Sequence, residues 1–273
     1  MSRARATLVA AGAARAVRGG LDAVAGDRWI RTNHRGDPVS LLAGPTAVLA
    51  LAAGSVAAGG RAGVAGAVAA LGAGAFGAVD DLAERPEKVR KGLRGHLGAL
   101  RHGQVTTGAL KVIGIGATGV LASTVLGGGA GRARRGVVGR GADLLGSGAL
   151  IAATANLVNL LDLRPGRAIK AGAVLAVPVL ANRRGGGLAA AALGASAALA
   201  PADLAERDML GDAGANALGA VLGTAVVAAA PRSVRLAWLA SVVGLTVVSE
   251  RVSFSAVIDR HATLRRIDDW GRR

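Results

Sequence analysis

AGVAGAVAALGAGAFGAVDDLAERPEKVRKGL, residues 62–93, joins an unbroken uncharged run to a pair of aspartates and then to a dense basic stretch. The uncharged run, Ala62–Val79, is close to the ~20 residues needed to cross a bilayer core. Asp80 and Asp81 fall where that helix ends. Two acids at a helix C-terminus oppose the macrodipole, so a purely capping role is physically poor. Adjacent carboxylates at the mouth of a span can instead take up a proton or hold a divalent cation against phosphates. The run that follows carries Arg85, Lys88, Arg90, Lys91, Arg94 and Arg101. Beside a membrane such a run marks topology or attracts lipid headgroups, and beside paired acids it can also clamp a pyrophosphate.

The same pattern recurs along the chain. Leu41–Gly59, Thr106–Leu126, Leu144–Leu161 and Ala213–Ala230 are apolar blocks of similar length, and Ala168–Ala181, Gly187–Leu204 and Val234–Ser249 are shorter or less clean ones. Only 18% of the residues are charged and the mean hydropathy is +0.45, against about one-quarter charged in soluble domains. The expected fold is all-α, a polytopic membrane helical bundle of about eight to nine transmembrane helices. A water-soluble Ala-rich bundle is the competing reading, and it fails to cover so many uncharged blocks. Residues 1–40 form a basic N-terminal segment with Arg3, Arg5, Arg15 and Arg18, either a poor first span or a helix on the surface, followed by a lead-in. Residues 41–250 are the transmembrane core and 251–273 a cytoplasmic tail. The absence of cysteine excludes disulfides and thiolate metal sites.

The net charge of +16 is carried mostly by arginines in the loops between spans, which favours anionic headgroups and phosphorylated substrates over nucleic acid. Threading the spans alternately puts 80–105, 162–170, 203–212 and the tail on the side richer in Lys and Arg, the inside. Asp80, Asp81, Asp162 and Asp212 then share one face. Carboxylates gathered at span ends need partners or a cation, so they read as a site.

Two further stretches supply it. In NLVNLLDLRPGRAIK, 156–170, Asn156, Asn159 and Asp162 recur at i, i+3 and i+6, one helical face, before Pro165–Gly166 breaks the helix. In MLGDAGANALGA, 209–220, Asp212 sits between Gly211 and Gly214, which are expected to let backbone N–H groups approach a phosphate while Asp212 ligates Mg²⁺. GIGATG, 114–119, lies inside an apolar span and lacks the strand–turn–helix setting of a dinucleotide fingerprint. His34, His96, His102 and His261 show no metal-ligand spacing.

Taken in order, DD, then KGL ten residues on, then N-x-x-N-L-x-D, then G-D-x-G resemble the polyprenyl-phosphate N-acetylhexosamine-1-phosphate transferases. The resemblance extends from RTNHRGDPVS, 31–40, to the tail. It implies Mg²⁺-dependent transfer of a sugar-1-phosphate from a nucleotide sugar, with UDP expected, to a polyprenyl phosphate. The reaction serves cell-wall or surface-polymer synthesis on the cytoplasmic face of the plasma membrane. Residue by residue, Asp80 and Asp81 match the paired aspartates, Lys91 the lysine of KGL, and Asn156, Asn159 and Asp162 the N-x-x-N-L-x-D motif. Asp212 matches the magnesium-binding aspartate, and Met209 stands where the peptidoglycan enzyme stacks an aromatic ring on uracil. Pro165 stands where the pattern often continues with a second acid, which leaves Asp162 to share the metal with Asp212. Arg265 and Arg266 lie in the tail where that enzyme has a histidine triplet.

The implied partners are polyprenyl phosphate, a nucleotide sugar, the membrane and a second copy in a homodimer, with no nucleic acid. An alternative is a catalytically inactive relative serving as a membrane scaffold or lipid-binding partner. A transporter is disfavoured because its acids belong at broken helices near the middle of the membrane.

Overall fold

The computed structural model describes residues 3–23, 26–33, 36–83, 107–127 and 136–272. Helices dominate them: α1 (Arg3–Asp22), α2 (Ala43–Ala58), α3 (Gly60–Ala83), α4 (Thr107–Val125), α5 (Val137–Leu161), α6 (Arg167–Leu180), α7 (Gly186–Leu204), α8 (Gly211–Ala229) and α9 (Arg232–Ser249). Two short helices, α10 (Phe254–Arg260) and α11 (Ala262–Asp269), form the tail. The all-α bundle expected from the hydropathy is present. Among the described residues six helices, α3, α4, α5, α7, α8 and α9, are long and apolar enough to cross a membrane, while α2 is apolar but shorter. The chain thus has the build of a multi-pass membrane protein.

Helix α8 is the axis. It is buried on nearly every side and packs on α2, α3 and α5. Small residues permit this approach: a side chain at Gly77 of α3 would run into the Asp212 carbonyl at the start of α8. Helix α9 is the opposite case, packed against α5 with most of its surface outward.

Helix α1 does not lie across the end of the bundle. It runs beside α2 and α7, burying the stripe Ala6, Ala10, Ala14. At one end the Arg3 guanidinium donates to the Ala181 carbonyl at 2.7 Å and Arg5 to that of Ala57 at 3.0 Å. At the other, Arg18 makes a two-pronged pair with Asp208, 3.0 Å on each arm. Its 20 residues cover about 30 Å, the depth of a bilayer core. Hydropathy alone leaves the placement of this helix open because Arg3, Arg5, Arg15 and Arg18 interrupt its apolar run.

Between α1 and α2 lies a hairpin that the apolar pattern did not signal. β1 (Ile30–Thr32) and β2 (Pro38–Ser40) pair antiparallel, with Arg31 opposite Val39. Ser40 also bridges to Asp208, and the Met209 N–H donates to the Ser40 carbonyl at 2.9 Å. The RTNHRGDPVS segment is thereby fastened to the loop that leads into α8.

Candidate active site

The end of α3, the first turn of α4, the end of α5 and the start of α8 meet at one end of the bundle. Each brings a charge. Lys111 of α4 donates to Asp80 at 2.9 Å and to Asp212, joining the last turn of α3 to the first of α8. The three side chains are mostly but not wholly covered, so the cluster is open to solvent from the end of the bundle.

Asp81 is used differently from its neighbour. Its carboxylate accepts from the Asp212 and Ala213 N–H groups, 2.9 Å each, and so caps α8 from another helix. The negative charge lies on the positive end of the α8 dipole. Gly211 adopts the left-handed conformation, φ 57°, and a Cβ there would press on both Asp81 carboxyl oxygens. Arg31 of the hairpin donates to the Asp81 carbonyl, which closes the turn from outside.

Asp162 follows directly on α5. The Gly211 N–H reaches its carboxylate, yet its Oδ2 is sealed from solvent without a hydrogen-bond partner. Burial pushes the Asp162 carboxyl well above the usual carboxylate range, and Asp203, Asp212 and Asp81 nearby push it further. An orphaned acceptor among acids favours a cation or a proton donor.

The backbone N–H groups of Gly211, Asp212 and Ala213 at the start of α8 are therefore taken up by Asp162 and Asp81 rather than left facing a phosphate. Gly214 serves packing, since a side chain there would meet Leu210 and Gly44. Asn156 does not join Asp162 either: it donates to Thr246 Oγ1 of α9 at 3.3 Å, because the face it shares with Asn159 is partly covered by that helix. Asn159 is half-buried, and its carbonyl accepts from the Asp162 N–H. Met209 is half-buried beside the hairpin. Lys91 and its basic run lie outside the described residues.

Two participants were not picked out from the sequence. Lys111 is one cation in an otherwise apolar run, and an ionisable residue inside a span is itself a functional signal. Asp203, buried at the end of α7, accepts from the Gly166 N–H at 2.7 Å and so holds the turn that follows Asp162.

Among the described residues no group of three or more His, Cys, Asp or Glu side chains is arranged to hold a metal ion unaided. Mg²⁺ needs less, since it is commonly held by one or two carboxylates with waters and substrate phosphates. Asp162 and Asp212, with an oxygen left unsatisfied, fit that demand. No protein-family model matches the chain, and no curated protein matches it.

Proposed function

We propose that the chain is a Mg²⁺-dependent phosphoglycosyl transferase of the plasma membrane, moving a sugar-1-phosphate from a nucleotide sugar to a polyprenyl phosphate. The order of its motifs supports the family reading. The orphaned, buried Oδ2 of Asp162 beside Asp212 carries the site reading. On this reading α1, α2 and α6 cross the membrane as well, giving nine spans, and the convergent helix ends face the cytoplasm.

Phosphoryl transfer depends on positioning and charge neutralisation more than on covalent work by the protein. Asp162 and Asp212 would hold the metal, which when bound neutralises charge on the donor pyrophosphate. Asp80 orients the acceptor phosphate and takes its proton. An acceptor oxygen attacks the sugar-linked phosphorus, the pyrophosphate bond breaks, and the nucleoside monophosphate leaves. Lys111, held between Asp80 and Asp212, swings to the phosphate oxygens once substrate enters, joined by Lys91 and its arginine neighbours. Asp81 keeps α8 seated rather than touching substrate. Met209 borders the nucleotide end, and Asn159 lies beside the metal loop.

The inactive-scaffold reading draws on one observation: the acids and amides of the cluster already satisfy one another through Lys111 and the α8 N-terminus. The deciding experiment incubates purified protein with polyprenyl phosphate, Mg²⁺ and a panel of labelled nucleotide sugars. Label is expected in the lipid phase with at least one donor and absent with Asp212→Asn. No transfer from any donor would leave the scaffold.

A further inference from the structure

The tail is bound to the site loop by buried charge. Arg167 donates to both carboxyl oxygens of Asp268 at 2.7 and 2.9 Å, and both side chains are nearly inaccessible. Lys170 donates to the Asp268 carbonyl at 2.6 Å, and Arg164 grips Asp259 on two arms at 3.1 and 3.0 Å. Arg164 and Arg167 flank the Pro165–Gly166 turn that follows Asp162. The tail therefore fixes that turn from below.

The side of α11 next to this anchor is uncovered. Leu264 and Ile267 of α11 and Trp270, the residue that caps its C-terminus, succeed one another at intervals of three and are 42%, 54% and 77% exposed. Arg266 flanks the stripe, while Asp269 lies on the opposite side. The tail follows α9 at once, and exposed Val247, Val248 and Val252 continue the outward apolar surface of α9 into it. Its charge is one-sided as well. Asp259, Asp268 and Asp269 are each turned to an arginine, and Arg251, Arg260, Arg265 and Arg266 stand exposed.

We propose that α11 docks on the anionic surface of the bilayer through Leu264, Ile267 and Trp270, and through Asp268 sets the position of the 163–167 turn. The occupant follows from the stripe's chemistry. Tryptophan favours the headgroup level, short amphipathic helices bury an apolar face there, and flanking arginines are drawn to anionic lipid. The proposal requires a membrane but no transfer reaction.

The absence of cysteine makes the test clean. Ile267→Cys and Asp269→Cys, each carrying one nitroxide, are reconstituted in vesicles of phosphatidylcholine with phosphatidylglycerol or of phosphatidylcholine alone. In the anionic vesicles the label at 267 is expected to collide several-fold more with oxygen than with a water-soluble nickel chelate. The label at 269 should show the reverse, and the preference at 267 should shrink in the neutral vesicles. Water exposure at 267 equal to that at 269 would overturn docking, as would shielding from both reagents, the mark of a covering protein. An identical preference in both vesicles would overturn the anionic requirement. For the link to the turn, a nitroxide at Leu163→Cys should gain mobility with Asp268→Asn. It should also gain mobility, in anionic vesicles, with Trp270→Ser, a surface change that leaves the buried pair intact. An unchanged spectrum in the Trp270→Ser protein would refute the link.

Discussion

Lys111 and Asp212, 101 residues apart, meet where α4 and α8 reach the same end of the bundle, and Asp80 completes the bridge at 2.9 Å from the same ammonium. One cation serves two carboxylates. Removing it takes from both the cation they share, and breaking a mostly buried pair of this kind costs about 3–5 kcal/mol. Lys111→Met is expected to lower the melting temperature in detergent and to abolish transfer. Lys111→Arg should recover stability more than turnover, because the planar guanidinium cannot move between the acids and a phosphate as a point charge does. Equal recovery of both would remove Lys111 from the chemistry.

Asp80 and Asp81 are neighbours with different duties. Asp81→Asn keeps one acceptor for the α8 amides but loses the charge at the dipole, a change of about 0.5–2 kcal/mol. The measurement is a thermal melt with a transfer assay on the same preparation. Asp81→Asn should lower stability and keep partial activity, whereas Asp80→Asn should lose transfer. A folded Asp81→Asn protein without any activity would place Asp81 in contact with substrate.

Asp162→Asn separates stability from function. In chelator-containing buffer it should raise the melting temperature, since it removes a charge whose Oδ2 is buried and unpartnered. With Mg²⁺ and substrates it should be as inactive as Asp212→Asn, with the double variant little worse than either, as for groups acting together. A destabilised Asp162→Asn protein would show that the charge is already compensated.

The tail anchor gives a pH signature. Burial alone would raise the Asp268 carboxyl, but the guanidiniums of Arg167 and Arg272 outweigh it and hold the group below the usual range. A depressed carboxyl contributes stability above its unfolded value of about 4, and that contribution is lost as pH falls through the folded value. Melting temperatures of the wild type and Asp268→Asn should differ most near neutral pH and converge below pH about 4. A gap that stays constant with acidification would rule out the ion pair as its source.

A second buried pair lies at the far end of the bundle, where Arg235 of α9 donates to Asp143 of α5 at 3.3 Å and to Ser147 at 2.7 Å. Asp143→Leu alone should destabilise by about 3–5 kcal/mol because it leaves Arg235 buried without its carboxylate. Adding Arg235→Leu should restore most of the loss. A double variant as unstable as the single would mean that packing rather than charge is at stake.

The apolar helices were legible because apolar runs of near-bilayer length have few other uses, and each block read from the sequence contains a helix. Helix α1 was not settled that way: its arginines depress the hydropathy, and only the tertiary structure shows it running beside α2 and α7 with Arg3, Arg5 and Arg18 bound to groups of other elements. Asp80, Asp81, Asp162 and Asp212 were legible as a set because acids at span ends are costly. What each does was not. Asp81 caps α8 across 131 residues of sequence, and the draw of Thr246 on Asn156 comes from α9, so neither follows from local spacing. Lys111 was overlooked for the reason that makes it informative, since one charge barely changes the character of its run.

The enclosure of α8 also has a direction along the chain. Its partners α2, α3 and α5 all precede it in the chain, and its buried surface offers lipid little to contact. During synthesis its packing partners, with the Asp81 and Asp162 carboxylates among them, are therefore made before the first turn that they receive. The cluster comes into being only when this late helix arrives. A ribosome-bound chain ending before Gly211 would hold most of the bundle and none of its completed site.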